Sequence, residues 1–424
     1  MALLVLISLP LLGALGVLVF KSRLFAVAVS TIIAFFTATI VMRPDLLMMF
    51  PSISLPSLAL TPLSSILIIL TSLMVLAIIM TSEDSFGFIA LLLGIQAALF
   101  GVFCARTGLL FYIFWEMTLI PAFFMIVGWG SGDKLKIAIR FLLYNLVGSF
   151  ALLAVFIYLF LNTHSFAFSD WMTMVFPQSH QLWLLVGLMI AFGIKLPLVP
   201  FHRWQPDTYE CLPRSGTMLF SGLLSKLGIY GILVVMVPLV PHAMLIHRSL
   251  ILTIISIGVI YASVVALAET GFKRVVATVS IAHGSMLAAG VFSLTPIGIQ
   301  GGIVQIVAHS LGVTALFLCE PRVRSRFYLG ILFLSVLGSI GLPLTVGFIG
   351  EFLILLGLSQ VSLIYALVCG VSIVLGAWVM LTLYQNVQSS SDTPIRLTDD
   401  EETVLIALVS AIFILGIFPS VVLL

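Results

Sequence analysis

The first charged residue of this chain is Lys21, and the run before it, "MALLVLISLPLLGALGVLVF", holds one polar side chain, Ser8. Such a stretch limits the fold more than any other feature. A helix needs about 20 apolar residues to cross a hydrocarbon core of about 30 Å, where every backbone N–H and C=O must be satisfied within the segment. Runs of this kind recur along the chain. They are continuous rather than alternating, which predicts helices and not the strands of a membrane barrel. Hydrophobic residues make up 62% of the 424 residues and charged ones 8%, whereas a soluble domain carries about a quarter charged residues. The expectation is an all-α polytopic membrane protein with no soluble domain. No basic residue precedes the first run, and Lys21 and Arg23 follow it, so it reads as a retained helix and not a cleaved leader.

Charges, glycines and prolines divide the chain into fourteen apolar spans, roughly 2–20, 25–42, 58–81, 86–105, 108–129, 137–162, 181–202, 214–238, 249–268, 275–295, 298–319, 328–358, 362–386 and 403–423. Basic loops stay on the cytoplasmic side of a membrane. Loops after odd-numbered spans hold thirteen basic residues: Lys21, Arg23, Lys134, Lys136, Arg140, Arg203, Arg214, Lys273, Arg274, Arg322, Arg324, Arg326 and Arg396. Loops after even-numbered spans hold three, Arg43, Arg106 and Arg248. This bias predicts both termini on the outer, periplasmic side.

Two of the 18 basic residues then remain inside the membrane, Lys195 and Lys226. Of 16 acidic residues, all but Glu116 and Glu351 fall in loops or at span ends. His283, His309 and, at the end of span 7, His202 complete the intramembrane set. A charge at mid-membrane costs about 2.5–3.5 kcal/mol even on a lenient insertion scale, so this set is the functional candidate. A low-dielectric setting disfavours the charged form of each group and a nearby opposite charge favours it, so each can be poised to take or release a proton. That is what a proton relay requires. The plainer alternatives are a static buried ion pair for Glu116 with either lysine, core histidines satisfied by neighbours, and snorkelling of His202 beside Arg203. On those readings the protein is a membrane scaffold. Asp207 and Glu210 read as solvated loop charges, Glu320 as a counter-ion to Arg322, Arg324 and Arg326, and "DDEE" at 399–402 as a polar helix start.

"GIKLPLVP" in span 7 and "GLPLTVGFIGE" in span 12 are both interrupted by Gly and Pro. Paired broken helices point to an internal repeat. Five spans per unit is an odd number, so a second copy enters the membrane inverted. This predicts peripheral helices at 1–84, a first repeat of spans 4–8 at 85–240, an inverted second repeat of spans 9–13 at 241–388, and a C-terminal loop and helix at 389–424. Spans 5 and 10 then correspond, which sets Glu116 against His283. Lys226, in "LLSKLGIYG", has small neighbours that leave room for water. Cys104, Cys211, Cys319 and Cys369 are widely spaced without a Cys-x-x-Cys pair, which argues against disulfide, zinc and iron–sulfur centres. Gly128, Gly130 and Gly132 follow no strand and open no βαβ unit, so no dinucleotide site for NADH is expected.

Six motifs in order carry a resemblance: "LLFYIFWEMTLIPAFFMIVGWG", "IKLPLVPFHRWQPD", "GLLSKLGIYG", "KRVVATVSIAHGSMLAAG", "GGIVQIVAHSLGVTALF" and "GLPLTVGFIGEFLILLG". Over about residues 60–424 the chain resembles the antiporter-like membrane subunits of respiratory complex I, of Mrp cation/proton antiporters and of membrane hydrogenases. The resemblance implies a fourteen-helix proton-translocating subunit with two inverted five-helix repeats. NADH, FMN, iron–sulfur clusters and quinone would sit on partner subunits, with other membrane-arm subunits and lipid as neighbours and no nucleic acid. It implies that Glu116 pairs with Lys195, that Lys226 is the central lysine, that His283 and His309 continue a hydrated axis, and that Glu351 is the last proton-exchanging group. His202 and Asp207 would be path-terminal. Sister subunits usually carry lysine at the position of Glu351, so the resemblance favours the subunit 4/M branch, with an Mrp-type Na⁺/H⁺ antiporter or hydrogenase-linked pump as the alternative. Val234 and Tyr209 stand where relatives often have arginine and histidine, and Ala282 where serine often precedes the span 10 histidine, so the accessory polar contacts differ here.

Overall fold

The computed structural model describes residues 2–43, 57–320, 325–389 and 397–423. Arg322, Arg324 and Arg396, counted above among the loop cations, lie outside the described residues. The fold is all-α as expected: among the described residues the only β features are two isolated bridges, Leu58 with Ala105 and Thr107 with Ala167. The helices are α1 Ala2–Phe20, α2 Arg23–Met42, α3 Pro62–Thr81, α4 Phe86–Cys104, α5 Gly108–Trp129, α6 Lys134–Thr163, α7 Gln178–Lys195 and α8 Trp204–Cys211. They continue with α9 Arg214–Leu239, α10 Pro241–Ala268, α11 Phe272–Phe292, α12 Pro296–Leu318, α13 Arg326–Ile340, α14 Val346–Ser359, α15 Leu363–Ser389 and α16 Asp399–Ile417. Eleven of them, α1–α6, α9–α12 and α15, are long and apolar enough to cross a membrane. Side chains such as Leu24, Phe35 and Val374 are largely exposed, an exterior suited to lipid and not to water.

The chain forms two compact units. The first comprises Met1–Phe192, Cys211–Ser215 and Tyr230–Pro241. Within it α4 packs against α1, α3 and α5. Thr61 caps α3 reciprocally with Ser64, and Phe111 stacks on Trp115, which meets Phe192 edge-on.

The second unit comprises Gly193–Glu210, Gly216–Ile229 and His242–Leu424. Its centre is α12, packed against α14 and α11. Close approach of α12 to α14 depends on glycine: a Cβ on Gly301 would lie 2.6 Å from the backbone N of Ile354, and one on Gly357 would overlap Gly298. Small residues at such crossings let backbones meet in an apolar medium.

Both Gly/Pro-interrupted spans are broken. α7 ends at Lys195, because Pro197 and Pro200 offer no N–H to continue it. The Leu198 N–H turns back to Gly193 O at 2.8 Å, and the Trp204 indole N–H takes Ile194 O at 3.1 Å, so carbonyls left open at the helix end find donors. A 3₁₀ turn at Phe201–Arg203 then leads into α8. Asp207 and Glu210 therefore lie on a helix and not in the expected loop. The second break separates α13 from α14. Gly341, at φ +72°, ends α13; Thr345 Oγ1 accepts the Phe348 N–H at 3.4 Å and caps α14. At the C-terminus the predicted polar start is a capping box of Thr398 and Glu401 opening α16.

Candidate functional site

Four of the predicted groups form one connected series in the second unit. It begins where α9 is irregular. At Phe220–Leu224 the helix widens to a π turn, and the Ser225 N–H reaches back five residues to Phe220 O at 3.1 Å. That N–H leaves the Ser221 carbonyl to other donors, a known consequence of π-bulges. Ser221 O accepts the Ser225 hydroxyl at 2.8 Å and the Lys226 ammonium at 2.8 Å. Lys226 Nζ also reaches Ser225 Oγ at 3.0 Å and His309 Nδ1, on α12, at 2.7 Å. Lys226 is 3% exposed, so these three oxygens and nitrogens replace its water.

The His309 ring then meets the His283 ring of α11 edge-on, with centroids 5.7 Å apart. His283 Nε2 lies 3.7 Å from Glu351 Oε1 on α14. Beside the two imidazoles is a cavity of about 20 Å³ lined by His283, His309, Gln305, Ser280 and Ser339. A second cavity of similar size touches His283, Glu351, Ser263 and Ser372. Each is large enough for about one water molecule and offers polar partners. The room for water was expected around Lys226, but neither of these two cavities is lined by it; both lie at the histidines. His309 Nε2 is buried and bonds no protein group.

The position of Glu351 is set by two residues that the charge count passed over. Gly341 carries no side chain, and a Cβ there would lie 2.5 Å from Glu351 Oε2. Gln305, 3% exposed, sets its Oε1 against Gly350, the residue before Glu351, where that oxygen has no polar partner. Gln305 lies four residues before His309, on one face of α12; "QIVAH" carried that signal, but an uncharged amide was not counted.

The other predicted residues are placed as follows. Lys195 is buried in the second unit at the C-terminal end of α7, where the helix dipole favours a cation. Glu116 is half-buried on α5 in the first unit, with Oε1 buried and unpartnered. His202 sits in the 3₁₀ turn, edge-on to Tyr261, and its Nδ1 bonds no protein group. Asp207 is not a free solvated charge: Arg274 bridges Asp207 (3.3 Å), Glu210 (2.8 Å) and Glu269 (3.0 Å). Glu320 pairs with Lys273 at 3.4 Å; of the partners expected for it, Arg322 and Arg324 are outside the described residues. Tyr209 is fully buried against the edge of Phe317, Val234 lies half-buried in a second π turn at Ile232–Met236, and Ala282 joins Ala262 and Ile281 under Val199. All four cysteines are buried free thiols.

Fold and site together define an integral membrane protein in which a helix bundle encloses a lysine, histidine and carboxylate series. A family profile described as "NADH:quinone oxidoreductase/Mrp antiporter, TM" matches residues 105–376. NADH-quinone oxidoreductase subunit M of Rickettsia prowazekii is 38% identical over 306 residues, which cover 68% of this chain and 62% of that protein. The subunit M of Rickettsia bellii is 35% identical over 76% of this chain and 70% of its own length. NADH-ubiquinone oxidoreductase chain 4 of Marchantia polymorpha is 32% identical over 77% of this chain and 71% of its own. A chain of respiratory complex I from Thermus thermophilus with bound NADH superposes with TM-score 0.91 at 25% identity, covering 100% of this chain and 96% of that one. A chain of the Mrp complex from Dietzia shares the fold, with TM-score 0.86 at 18% identity over 100% of this chain and 95% of its own. The chain belongs to the NADH:quinone oxidoreductase/Mrp antiporter transmembrane family.

Proposed function

We infer that this chain is a proton-translocating membrane-arm subunit of a complex I type NADH:quinone oxidoreductase, similar to subunit M or chain 4, driven by quinone reduction elsewhere in the assembly. The observation that carries the reading is the adjacent series Lys226, His309, His283 and Glu351, in which the lysine and the carboxylate are buried and the two histidines half-buried. An ammonium at Lys226 donates to the neutral Nδ1 of His309. An imidazole can take a proton at one nitrogen and release it from the other, and His309 Nε2 is not engaged by any protein group. The cavity beside both rings has room for a water that would link His309 to His283, and His283 Nε2 faces the Glu351 carboxyl. A static scaffold has no need for polar space at that junction.

The same reading takes the chain as fourteen spans, arranged as peripheral helices at 1–84, inverted five-helix repeats at 85–240 and 241–388, and a C-terminal loop and helix at 389–424. Two broken helices, after Lys195 and before Glu351, support it. By resemblance, Glu116 and Lys195 open the series, and His202 and Asp207 are path-terminal. The basic-loop bias supports both termini on the outer side of the membrane, which is the inner membrane of a bacterium or, as the alternative, of a mitochondrion. NADH, FMN, iron–sulfur clusters and quinone belong to partner subunits, and other antiporter-like subunits are neighbours in the membrane arm. A glutamate at 351, where the resemblance gives sister subunits a lysine, favours the subunit 4/M branch, with an Mrp-type antiporter as the alternative.

Affinity purification of the tagged chain from its native membrane, followed by a proton-pumping assay on the assembly, tests the reading. Recovery of NADH-oxidising subunits, with pumping reduced by Glu116→Gln, is expected. Recovery of small Mrp subunits instead, or full pumping by the assembled Glu116→Gln complex, overturns it.

A further inference from the structure

Gln305 is a buried amide on α12 that shares a cavity lining with His283 and His309 and touches the turn of α14 that carries Glu351. Its amide acts on the Glu351 carboxyl. Its Oε1 abuts Gly350, the residue that precedes Glu351 in α14, where any Cβ would overlap it, and finds no donor. An amide has both donor and acceptor faces, whereas a carboxylate only accepts and a carboxylic acid also donates. The terminal torsion of glutamine is soft and roughly two-fold, so the amide can turn without leaving its site, and the adjoining cavity provides space. Gly350 keeps that space from being filled by a neighbouring side chain.

We propose that Gln305 is a positioning residue for Glu351: its amide donates from Nε2 to the carboxylate and turns to accept, through Oε1, from the carboxylic acid. Proton transfer from the His283 imidazolium Nε2 to Glu351 Oε1 converts the carboxylate into the acid. The unpartnered Oε1 then gains the new O–H as its donor. Each protonation state of Glu351 is thereby held by the same residue, and the carboxyl stays aimed at His283 throughout. The proposal rests on the proton-translocation reading above and names a group within it that charge alone does not reveal.

The test compares Gln305→Met, which keeps the length and removes the amide, with Gln305→Asn, which keeps the amide and shortens its reach, both in the whole purified complex. The Glu351 carboxyl band is identified in infrared difference spectra as the one missing in Glu351→Gln. Both Gln305 variants are expected to move that band to higher frequency, through loss of the hydrogen bond, and to lower the pumping rate at least several-fold. If either variant assembles and pumps at the full rate, or leaves the band unmoved, while Glu351→Gln stops pumping, the proposal is overturned and the function stands. Full pumping by Glu351→Gln itself defeats the functional reading instead. Should Gln305→Met fail to assemble, Gln305→Asn decides alone by the same two readouts.

Discussion

Gly341, the left-handed residue that ends α13, faces the carboxyl of Glu351 ten residues later: a Cβ on it would lie 2.5 Å from Oε2. Thus the residue that breaks the helix also makes the pocket for the acid. A left-handed conformation costs an L-residue roughly 1–2 kcal/mol, and here the added methyl also displaces a carboxyl that stands 3.7 Å from His283. Gly341→Ala is expected to destabilise the subunit by about that amount and to cut pumping about tenfold or more, since misplacing a reacting group by about 1 Å is costly. Thermal unfolding of the complex and quenching of a pH-sensitive dye in proteoliposomes measure the two effects. Unchanged pumping with an intact fold would show that the carboxyl need not sit where Gly341 allows it.

His309 is the junction of the series, bonded to Lys226 at one nitrogen and open at the other. His309→Gln keeps a polar side chain there but cannot accept a proton at one atom and release it from another. The complex is expected to assemble and to lose most of its pumping. If the glutamine variant pumps normally, protons do not cross this ring.

Arg274 holds three carboxylates, two of them on α8, the helix that resumes after the break at Lys195. Its side chain is 33% exposed, so the network is screened, and a single such pair contributes about 0–1 kcal/mol. Removing the cation also leaves three negative charges together. Arg274→Gln is expected to cost about 1 kcal/mol and to speed hydrogen exchange in 204–211, with Arg274→Lys restoring protection only in part because an ammonium lacks the guanidinium fork. Equal exchange in all three proteins would mean that α8 is held by its buried face alone.

Much of this arrangement was legible in the sequence because the chain is so poor in charge. Against an apolar background, Lys226, His283, His309 and Glu351 stand out one by one, and the structure brings these four together. Proline and glycine marked both breaks, since neither ring nor left-handed residue continues a helix. Gln305 was not legible by the same route, because an amide carries no charge to count. Asp207 and Glu210 lie on a helix too short and polar to stand out in the apolar pattern, and Arg274, which pairs with both, is 64 residues beyond Glu210. The π turn that exposes Ser221 O to Lys226 had no signature either, as Ser, Gly and Leu serve equally in an α-helix of this kind.

The central claim is that protons move through the buried series. The most direct measurement is the number of protons pumped per electron by reconstituted complex carrying Lys226→Ala, with assembly verified and electron transfer recorded in the same vesicles. The account predicts a clear fall in that ratio, because the alanine removes the donor to His309. An unchanged ratio in a fully assembled, electron-transferring complex would contradict it.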